Sequence, residues 1–276
     1  MNSLKITLLK PKISVIGCGW LGFPLAKKLI KRNYEVHGST TSKAKLSALE
    51  AVQIIPFLIQ FTSEGIVGNL KSCLKECQTL IVNIPPGLRK NPESDYVKKM
   101  ESFVNHIENS SVENVVFIGS TSVYEDKENF PVITENSPTS KASAPKQLIA
   151  VETLFQTNKN FKTTILRFSG LYGPERHPAT YLSGKSNIKN PEAPVNLIHR
   201  NDCIAIIISI IENNIWNTVF NASNSTKLNK KEFYTKACQL AGLVIPEFDN
   251  DSISTGKIID SRKLIHNLNY NFQIKL

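Results

Sequence analysis

Residues 13–22 read Ile-Ser-Val-Ile-Gly-Cys-Gly-Trp-Leu-Gly, an apolar strand that runs directly into a glycine-rich turn and a helical pattern. The spacing is G-x-G-x-x-G in the strand–turn–helix context that it requires. Gly17 would make the tight turn, Gly19 would let a pyrophosphate approach the backbone, and Gly22 would let the helix pack on the strand. The helix N-terminus adds free N–H groups and a positive dipole end. The alternative is a turn that only packs the first helix. The predicted dinucleotide-binding residues in this stretch are Gly17, Gly19, Trp20, Leu21 and Gly22, with the three glycines at the pyrophosphate.

Strand and helix signals alternate through the first two thirds of the 276 residues. This alternation predicts βαβ units with right-handed crossovers, and therefore an α/β fold with a Rossmann-type, doubly wound parallel sheet. Ligands bind such sheets beyond the carboxyl ends of the strands. The predicted strands are Ile13–Ile16, Glu35–Gly38, Ile54–Ile59, Thr79–Ile84, Asn114–Ile118 and Thr163–Phe168.

The chain divides into two predicted regions. Residues 1–174 form an NAD(P)-binding Rossmann domain, and residues 175–276 form mainly a small C-terminal α/β lobe that sets substrate choice. A strand near 218–222 and a helix over 201–213 return from the second region to the first domain. Neither region contains a recognisable substrate motif.

The exit of the second strand, Gly38-Ser39-Thr40-Thr41-Ser42-Lys43, contains no carboxylate. NAD binders usually place Asp or Glu about 20 residues after the first glycine, on the ribose 2′-hydroxyl. Hydroxyls and a lysine suit a 2′-phosphate instead, so this stretch favours NADP(H), with NAD(H) as the alternative. An N-cap for the next helix is the purely structural interpretation. The cofactor-binding residues predicted at this and later strand exits are Ser39, Thr40, Thr41, Lys43, Pro85, Pro86, Ser120, Gly170 and Leu171.

Composition narrows the class of partner. The net charge is +10, but the lysines are scattered, so we expect a solvated basic surface and no nucleic-acid partner. The longest mainly apolar run, Cys203–Ile211, is far shorter than the roughly 20 residues of a membrane span. Met1–Lys12 lacks the apolar core of a signal peptide. An odd number of cysteines without a C-x-x-C pair indicates free thiols, a cytoplasmic protein and no metal site. We expect a small-molecule substrate and a monomer or homodimer.

Three further segments resemble the extended short-chain dehydrogenases/reductases. Residues 117–124, Phe-Ile-Gly-Ser-Thr-Ser-Val-Tyr, are similar to the S-S-x-x-V-Y-G segment of that family. Residues 166–174 resemble L-R-x-x-x-x-Y-G-P, and residues 195–202 resemble I-H-x-x-D. The match is with the atypical, nucleoside-diphosphate-sugar epimerase-like branch, also described as NAD-dependent epimerase/dehydratase-like, because that branch has G-x-G-x-x-G. The resemblance implies oxidoreductase or epimerase/dehydratase activity with a nicotinamide cofactor.

The catalytic residues depart from the family pattern. Family enzymes use a Ser or Thr with Y-x-x-x-K, followed by Glu four residues after the Lys; the Lys lowers the pKa of the Tyr, which moves the proton. If Glu152 matches the family Glu, Leu148 and Ala144 occupy the Lys and Tyr positions. Neither side chain can perform that chemistry. The family hydroxyl matches Ser120.

Substitutes for the missing pair are Tyr124, as an acid near Ser120, and Lys146 or Lys141, which lie close to the lost lysine. The structural alternatives are a packed aromatic ring and solvated lysines. The predicted catalytic residues are Ser120, Tyr124 and Lys146.

Three hypotheses follow from the sequence. The first is an NAD(P)-binding oxidoreductase or epimerase-like enzyme acting on a carbonyl or sugar-nucleotide substrate. The second is a regulatory protein that senses NADP(H) without turnover, because the proton relay is missing. The third is a β-hydroxyacid-dehydrogenase-like reductase, suggested by the Gly17–Ala26 stretch alone, and such a protein has a largely helical C-terminal half.

Overall fold

The computed structural model describes residues 10–62 and 64–276. Residues 1–9, on which most of the signal-peptide prediction rests, lie outside the described residues. The strands are β1 Lys12–Ile16, β2 Glu35–Thr40, β3 Ile55–Leu58, β4 Gln60–Phe61, β5 Ile66–Val67, β6 Thr79–Val82, β7 Asn114–Ser120, β8 Val132–Ile133, β9 Lys162–Phe168, β10 Gly170–Tyr172, β11 Pro194–His199, β12 Thr218–Ala222, β13 Asn224–Asn229 and β14 Ile258–Ile259. The helices are α1 Gly22–Lys31, α2 Leu46–Glu50, α3 Leu70–Leu74, α4 Tyr96–Glu108, α5 Ser143–Gln156, α6 Pro178–Leu182, α7 Arg200–Glu212, α8 Lys230–Leu240 and α9 Arg262–Leu268.

The main sheet has seven strands in the order β12-β9-β7-β6-β1-β2-β3, and all neighbouring pairs are parallel. Its central strands are mainly apolar because both faces are covered, as in other parallel sheets. The edge strand β3 contains Pro56, which is tolerated because one side of that strand carries no ladder. The Rossmann-type fold predicted from the sequence is confirmed.

Helices cover both faces of this sheet. On one face α1, α7 and α9 bury residues such as Leu25, Ile207 and Leu264. On the other face α3, α4 and α5 bury residues such as Leu70 and Phe103. This arrangement puts the carboxyl ends of the strands along one open edge, where ligands of such sheets bind.

The C-terminal region contributes to both the main sheet and smaller ones. The strand β12 pairs with β9 at the edge of the main sheet, and α7 packs beside α1. A separate sheet has the order β10-β11-β13, and β14 pairs with β8. None of the helices in the described part of the chain combines the length and apolarity that a membrane crossing requires.

The last residues of the chain are anchored on the first turn of α7. Asp202 is fully buried, and its carboxylate accepts hydrogen bonds from the Tyr270 hydroxyl at 2.6 Å and the Gln273 N–H at 2.7 Å. Its other oxygen accepts from the Ile274 N–H at 3.4 Å. The buried charge is therefore satisfied by hydrogen bonds from the C-terminal segment.

Candidate functional site

The glycine turn after β1 leaves no room for side chains at two of its three glycines. Gly17 has a φ of +103°, and a Cβ there would lie 2.3 Å from the Asn83 carbonyl oxygen. A Cβ on Gly22 would lie 2.2 Å from the Gly17 carbonyl oxygen. By contrast, a Cβ on Gly19 would meet nothing within 4 Å. Gly17 and Gly22 are thus required by the protein itself, whereas the space at Gly19 is open.

Two neighbouring strands hold this turn in place. The Gly17 N–H donates to Ser39 Oγ at 2.9 Å, and the Cys18 N–H donates to the Ser39 carbonyl oxygen at 2.7 Å. From β6, Asn83 Nδ2 donates to the Gly17 carbonyl oxygen at 2.9 Å. Asn83 was not predicted from the sequence, although its place directly after a buried strand was a usable signal.

The turn fits a dinucleotide by observations on this chain alone. The N-cap residue Leu21 provides no side-chain cap for α1. The Phe23 N–H is bonded to the Gly19 carbonyl oxygen at 3.0 Å, whereas the N–H groups of Trp20, Leu21 and Gly22 have no acceptor among the described residues. Gly19 leaves open the space above the turn, and Leu21 is buried beneath it. Backbone donors around an open, electropositive space are what a pyrophosphate needs.

The polar side chains at the exit of β2 form a buried pair and an exposed pair. Ser39 and Thr40 are buried, with Ser39 Oγ on the glycine turn and Thr40 Oγ1 accepting from the Ser42 N–H at 3.2 Å. Thr41 and Lys43 are exposed. The structure assigns Ser39 to holding the turn. Thr41 and Lys43 are open to solvent, and their contact with a ribose phosphate stays a prediction.

Two further predicted positions follow β6 and β7. Pro85 is exposed and Pro86 half-buried, directly after the strand that supplies Asn83. Ser120 ends β7 as a half-buried residue, and its Oγ accepts from the Ser122 N–H at 3.1 Å. The Ser120 hydroxyl keeps its own hydrogen for a ligand.

Tyr124 does not face this open edge, contrary to the prediction of an acid at this position. The residue is 2% exposed, and its hydroxyl donates to Asn221 Oδ1 at 2.9 Å and accepts from Arg167 Nη1 at 2.5 Å. Burial raises the pKa of its phenol, against the opposing effect of Arg167. Tyr124 is thus part of a buried polar network, and its proton is held inside the protein.

Glu152 and Arg167 form the centre of that network. Glu152 Oε2 accepts from Arg167 Nε at 2.9 Å and from Nη2 at 2.6 Å, and both side chains are buried. Gly119 lies beside this pair, because a Cβ there would be 2.8 Å from Glu152 Oε1. The family glutamate is retained here as half of a buried ion pair.

The first turns of α5 carry no ionisable substitute on the face where the family places its Tyr and Lys. Ala144 is exposed, and Leu148 packs against Val123, Ile133 and their apolar neighbours. Residues four apart share a helix face, whereas Lys146 lies two positions from each of them. Lys146 is exposed to solvent. The structure does not bring Lys146 to the position predicted for it.

The exit of β9 packs against the smaller sheet. A Cβ on Gly170 would lie 2.7 Å from the Leu197 side chain, and Leu171 packs on the α1 and α7 side of the core. Gly170 and Leu171 therefore have packing roles in the structure. That they also face the cofactor stays a prediction. Trp20 reaches this loop from the glycine turn, and its Nε1 donates to the Pro174 carbonyl oxygen at 2.8 Å.

The sequence is similar to a known protein family and to a bacterial protein. The sequence profile of the NAD dependent epimerase/dehydratase family matches residues 13–187. The chain is 27% identical to protein YeeZ of Escherichia coli K12 over 265 residues, which covers 95% of this chain and 96% of that protein.

Solved structures share the fold. MoeE5, in complex with UDP-glucose and NAD, has a TM-score of 0.77 and 18% identity, with 96% of this chain and 94% of that chain covered. A UDP-glucuronic acid 4-epimerase from Bacillus cereus, in complex with UDP-glucuronic acid and NAD, also gives 0.77 and 18%, with 96% and 95% covered.

Proposed function

Because the chain belongs to the NAD dependent epimerase/dehydratase family, we propose that it binds a nicotinamide dinucleotide at the glycine turn and performs hydride chemistry on a carbonyl or sugar-nucleotide substrate. The observation that carries this proposal is the contrast within the turn. At Gly17 and Gly22, neighbouring backbone atoms fill the space that a side chain would need. The space above Gly19 is open, beside the N-terminus of α1, which Leu21 does not cap. Family membership also excludes the β-hydroxyacid-dehydrogenase-like hypothesis.

We propose NADP(H) as the preferred cofactor. The exposed side chains at the β2 exit are Thr41 and Lys43, a hydroxyl and a cation, with no carboxylate in the segment. A cation favours a 2′-phosphate, and an acidic residue, which would favour a free ribose hydroxyl, is missing there. NAD(H) is the alternative, since the family is NAD dependent.

Ser120 is the side chain that we assign to the reacting end. The dinucleotide, when bound, supplies hydride transfer at its nicotinamide ring. The free hydrogen of the Ser120 hydroxyl would donate to a substrate carbonyl oxygen and orient it. A cavity of about 370 Å³ lies between the segment that leads into α4 and the first turn of α5, and we propose it as space for part of a substrate. It is lined by Pro92, Glu93, Ser94, Asp95, Val97, Ser143 and Gln147.

A second candidate function is dinucleotide sensing without turnover. It is favoured by Ala144 and Leu148, because the second of these is packed into the core where the family has a lysine. The burial of Tyr124 and the solvent exposure of Lys146 also favour the absence of a proton relay.

Two measurements test these functions in sequence. Calorimetric titration with NADPH and NADH should give binding of at least one, with NADPH the tighter; no binding of either refutes both functions. The protein loaded with NADPH is then mixed with carbonyl compounds and nucleotide sugars while NADPH fluorescence is followed. Oxidation by any of them supports the enzyme, whereas a stable signal with binding supports the sensor.

A further inference from the structure

Two arginines meet on the side chain of the glycine turn. The guanidinium carbons of Arg176 and Arg200 lie 4.4 and 4.9 Å from the centroid of the Trp20 indole ring, and both lie over that ring. Arg200 Nη1 also donates to the Trp20 carbonyl oxygen at 3.3 Å. The packing is tight, since a Cβ on Gly173 would lie 3.2 Å from Arg200 Cβ and 3.4 Å from the indole. The loop after β10 and the start of α7 are thereby joined to the turn.

The two positive charges are uncompensated by the described residues. Within residues 10–62 and 64–276, no carboxylate lies within 4.0 Å of either guanidinium. The Nε–H of Arg200 is buried and has no acceptor in that same part of the chain. Two cations without a carboxylate partner, one of them with a buried donor unused, are stabilised by a nearby anion.

We propose that Arg176 and Arg200 bind the pyrophosphate of the dinucleotide, with Trp20 holding their guanidinium groups beside the backbone amides of the turn. This inference rests on the proposed function. The pyrophosphate is the favoured anion because Arg200 contacts Trp20 within the turn itself, between Gly19 and Gly22. A guanidinium presents paired donors that suit phosphate oxygens, and stacking on the indole pre-orients it.

The test compares Arg176→Gln, Arg200→Gln and the double variant by calorimetry with NADPH, ADP-ribose, adenosine and UDP-glucose. Each single substitution should weaken NADPH and ADP-ribose about 10-fold, which equals about 1.4 kcal/mol, and should leave adenosine binding unchanged. Lys28→Gln removes the same charge from the exposed face of α1 and should change no affinity. The effect should shrink at high salt, because exposed charges are screened.

A second readout guards against misfolding of the Arg200 variant. Arg200→Lys keeps the charge near the indole and should retain part of the affinity. In a Trp216→Phe background Trp20 is the remaining tryptophan, since the chain has two, and its emission should change when ADP-ribose binds.

The outcomes separate the two levels of the proposal. If the unmodified protein binds no dinucleotide, the proposed function fails. If NADPH binds but the arginine variants bind it with unchanged affinity, only the present inference fails. The inference also fails if the substitutions weaken UDP-glucose alone, because the arginines would then serve a substrate.

Discussion

Replacing each of two glycines in the turn by alanine should have opposite consequences. At Gly17 the added Cβ would lie 2.3 Å from the Asn83 carbonyl oxygen, on a residue whose φ is +103°. At Gly19 the same methyl group would meet nothing within 4 Å. Gly17→Ala should therefore destabilise the protein, while Gly19→Ala should keep its stability and lose dinucleotide affinity.

The expected magnitude at Gly17 has two parts. A left-handed backbone conformation costs a non-glycine residue about 1–2 kcal/mol. Overpacking of a tight site adds about 1–3 kcal/mol, because Asn83 is held by a backbone bond to Ile16 and cannot retreat freely. The sum is about 3 kcal/mol in the free energy of unfolding, or about 6–12 °C in melting temperature.

The assay is thermal and urea unfolding of both variants, followed by titration with NADPH. For Gly19→Ala we expect unfolding close to that of the unmodified protein and at least about 10-fold weaker binding, since the methyl group would occupy space left for the pyrophosphate. A Gly17→Ala protein of unchanged stability would refute the account of the turn. A Gly19→Ala protein with full affinity would refute the placement of the ligand.

Three further predictions address the cofactor, the buried pair and the cap of α7. Lys43→Glu should weaken NADPH at least about 10-fold relative to NADH, because a carboxylate there repels a 2′-phosphate, while the exposed control Lys28→Glu should leave the ratio of the two affinities unchanged. Arg167→Met should lower the free energy of unfolding in urea by about 3–5 kcal/mol, because it leaves the buried Glu152 carboxylate without its partner. Adding Glu152→Gln should recover part of that loss. Strictly additive effects of the two substitutions would contradict their coupling. His199 caps α7 through Nδ1, which accepts a backbone N–H at 3.1 Å, and burial lowers its pKa from 6.5. The cap is therefore fully formed above pH 6.5 and is lost as the pH falls through the folded-state pKa, at a cost of about 1 kcal/mol. Asparagine in His199→Asn caps the helix but does not titrate, so the melting temperatures of the unmodified protein and this variant should diverge as the pH falls. Equal changes in the two melting temperatures would argue against the histidine cap.

Periodicity was sufficient for the main sheet because each parallel strand is a short apolar run between helical patterns. The strand Thr218–Ala222 was predicted with its observed bounds, and α7 was predicted to within a residue at each end. The short pairs, such as β4 with β5 and β8 with β14, were missed. Two-residue strands carry no periodic signal, and β8 and β14 also lie more than 120 residues apart.

In the candidate site, too, local features could be predicted from the sequence, whereas contacts between distant residues could not. The glycine turn could be predicted because its steric requirement is local and is written in three residues. The roles of Tyr124 and Lys146 depended on which direction each side chain points, and spacing alone does not give that direction. Arg167 on β9 pairs with Gly119 on β7, and its side chain reaches Tyr124, which lies four residues beyond the end of β7, so only the folded chain brings the two together. Arg176 and Arg200 were missed because their shared partner, Trp20, is more than 150 residues away in sequence.

The hydrogen bonds from residues 270–274 to Asp202 have a consequence for the order in which parts of the protein fold. The carboxylate is buried only when the donors from Tyr270, Gln273 and Ile274 are present. During synthesis α7 leaves the ribosome long before these donors do, and a buried charge without them is strongly unfavourable. We expect the first turn of α7 to stay hydrated until residues 270–274 have been synthesised. Docking of this helix, and with it the approach of Arg200 to the glycine turn, should therefore follow the synthesis of that segment.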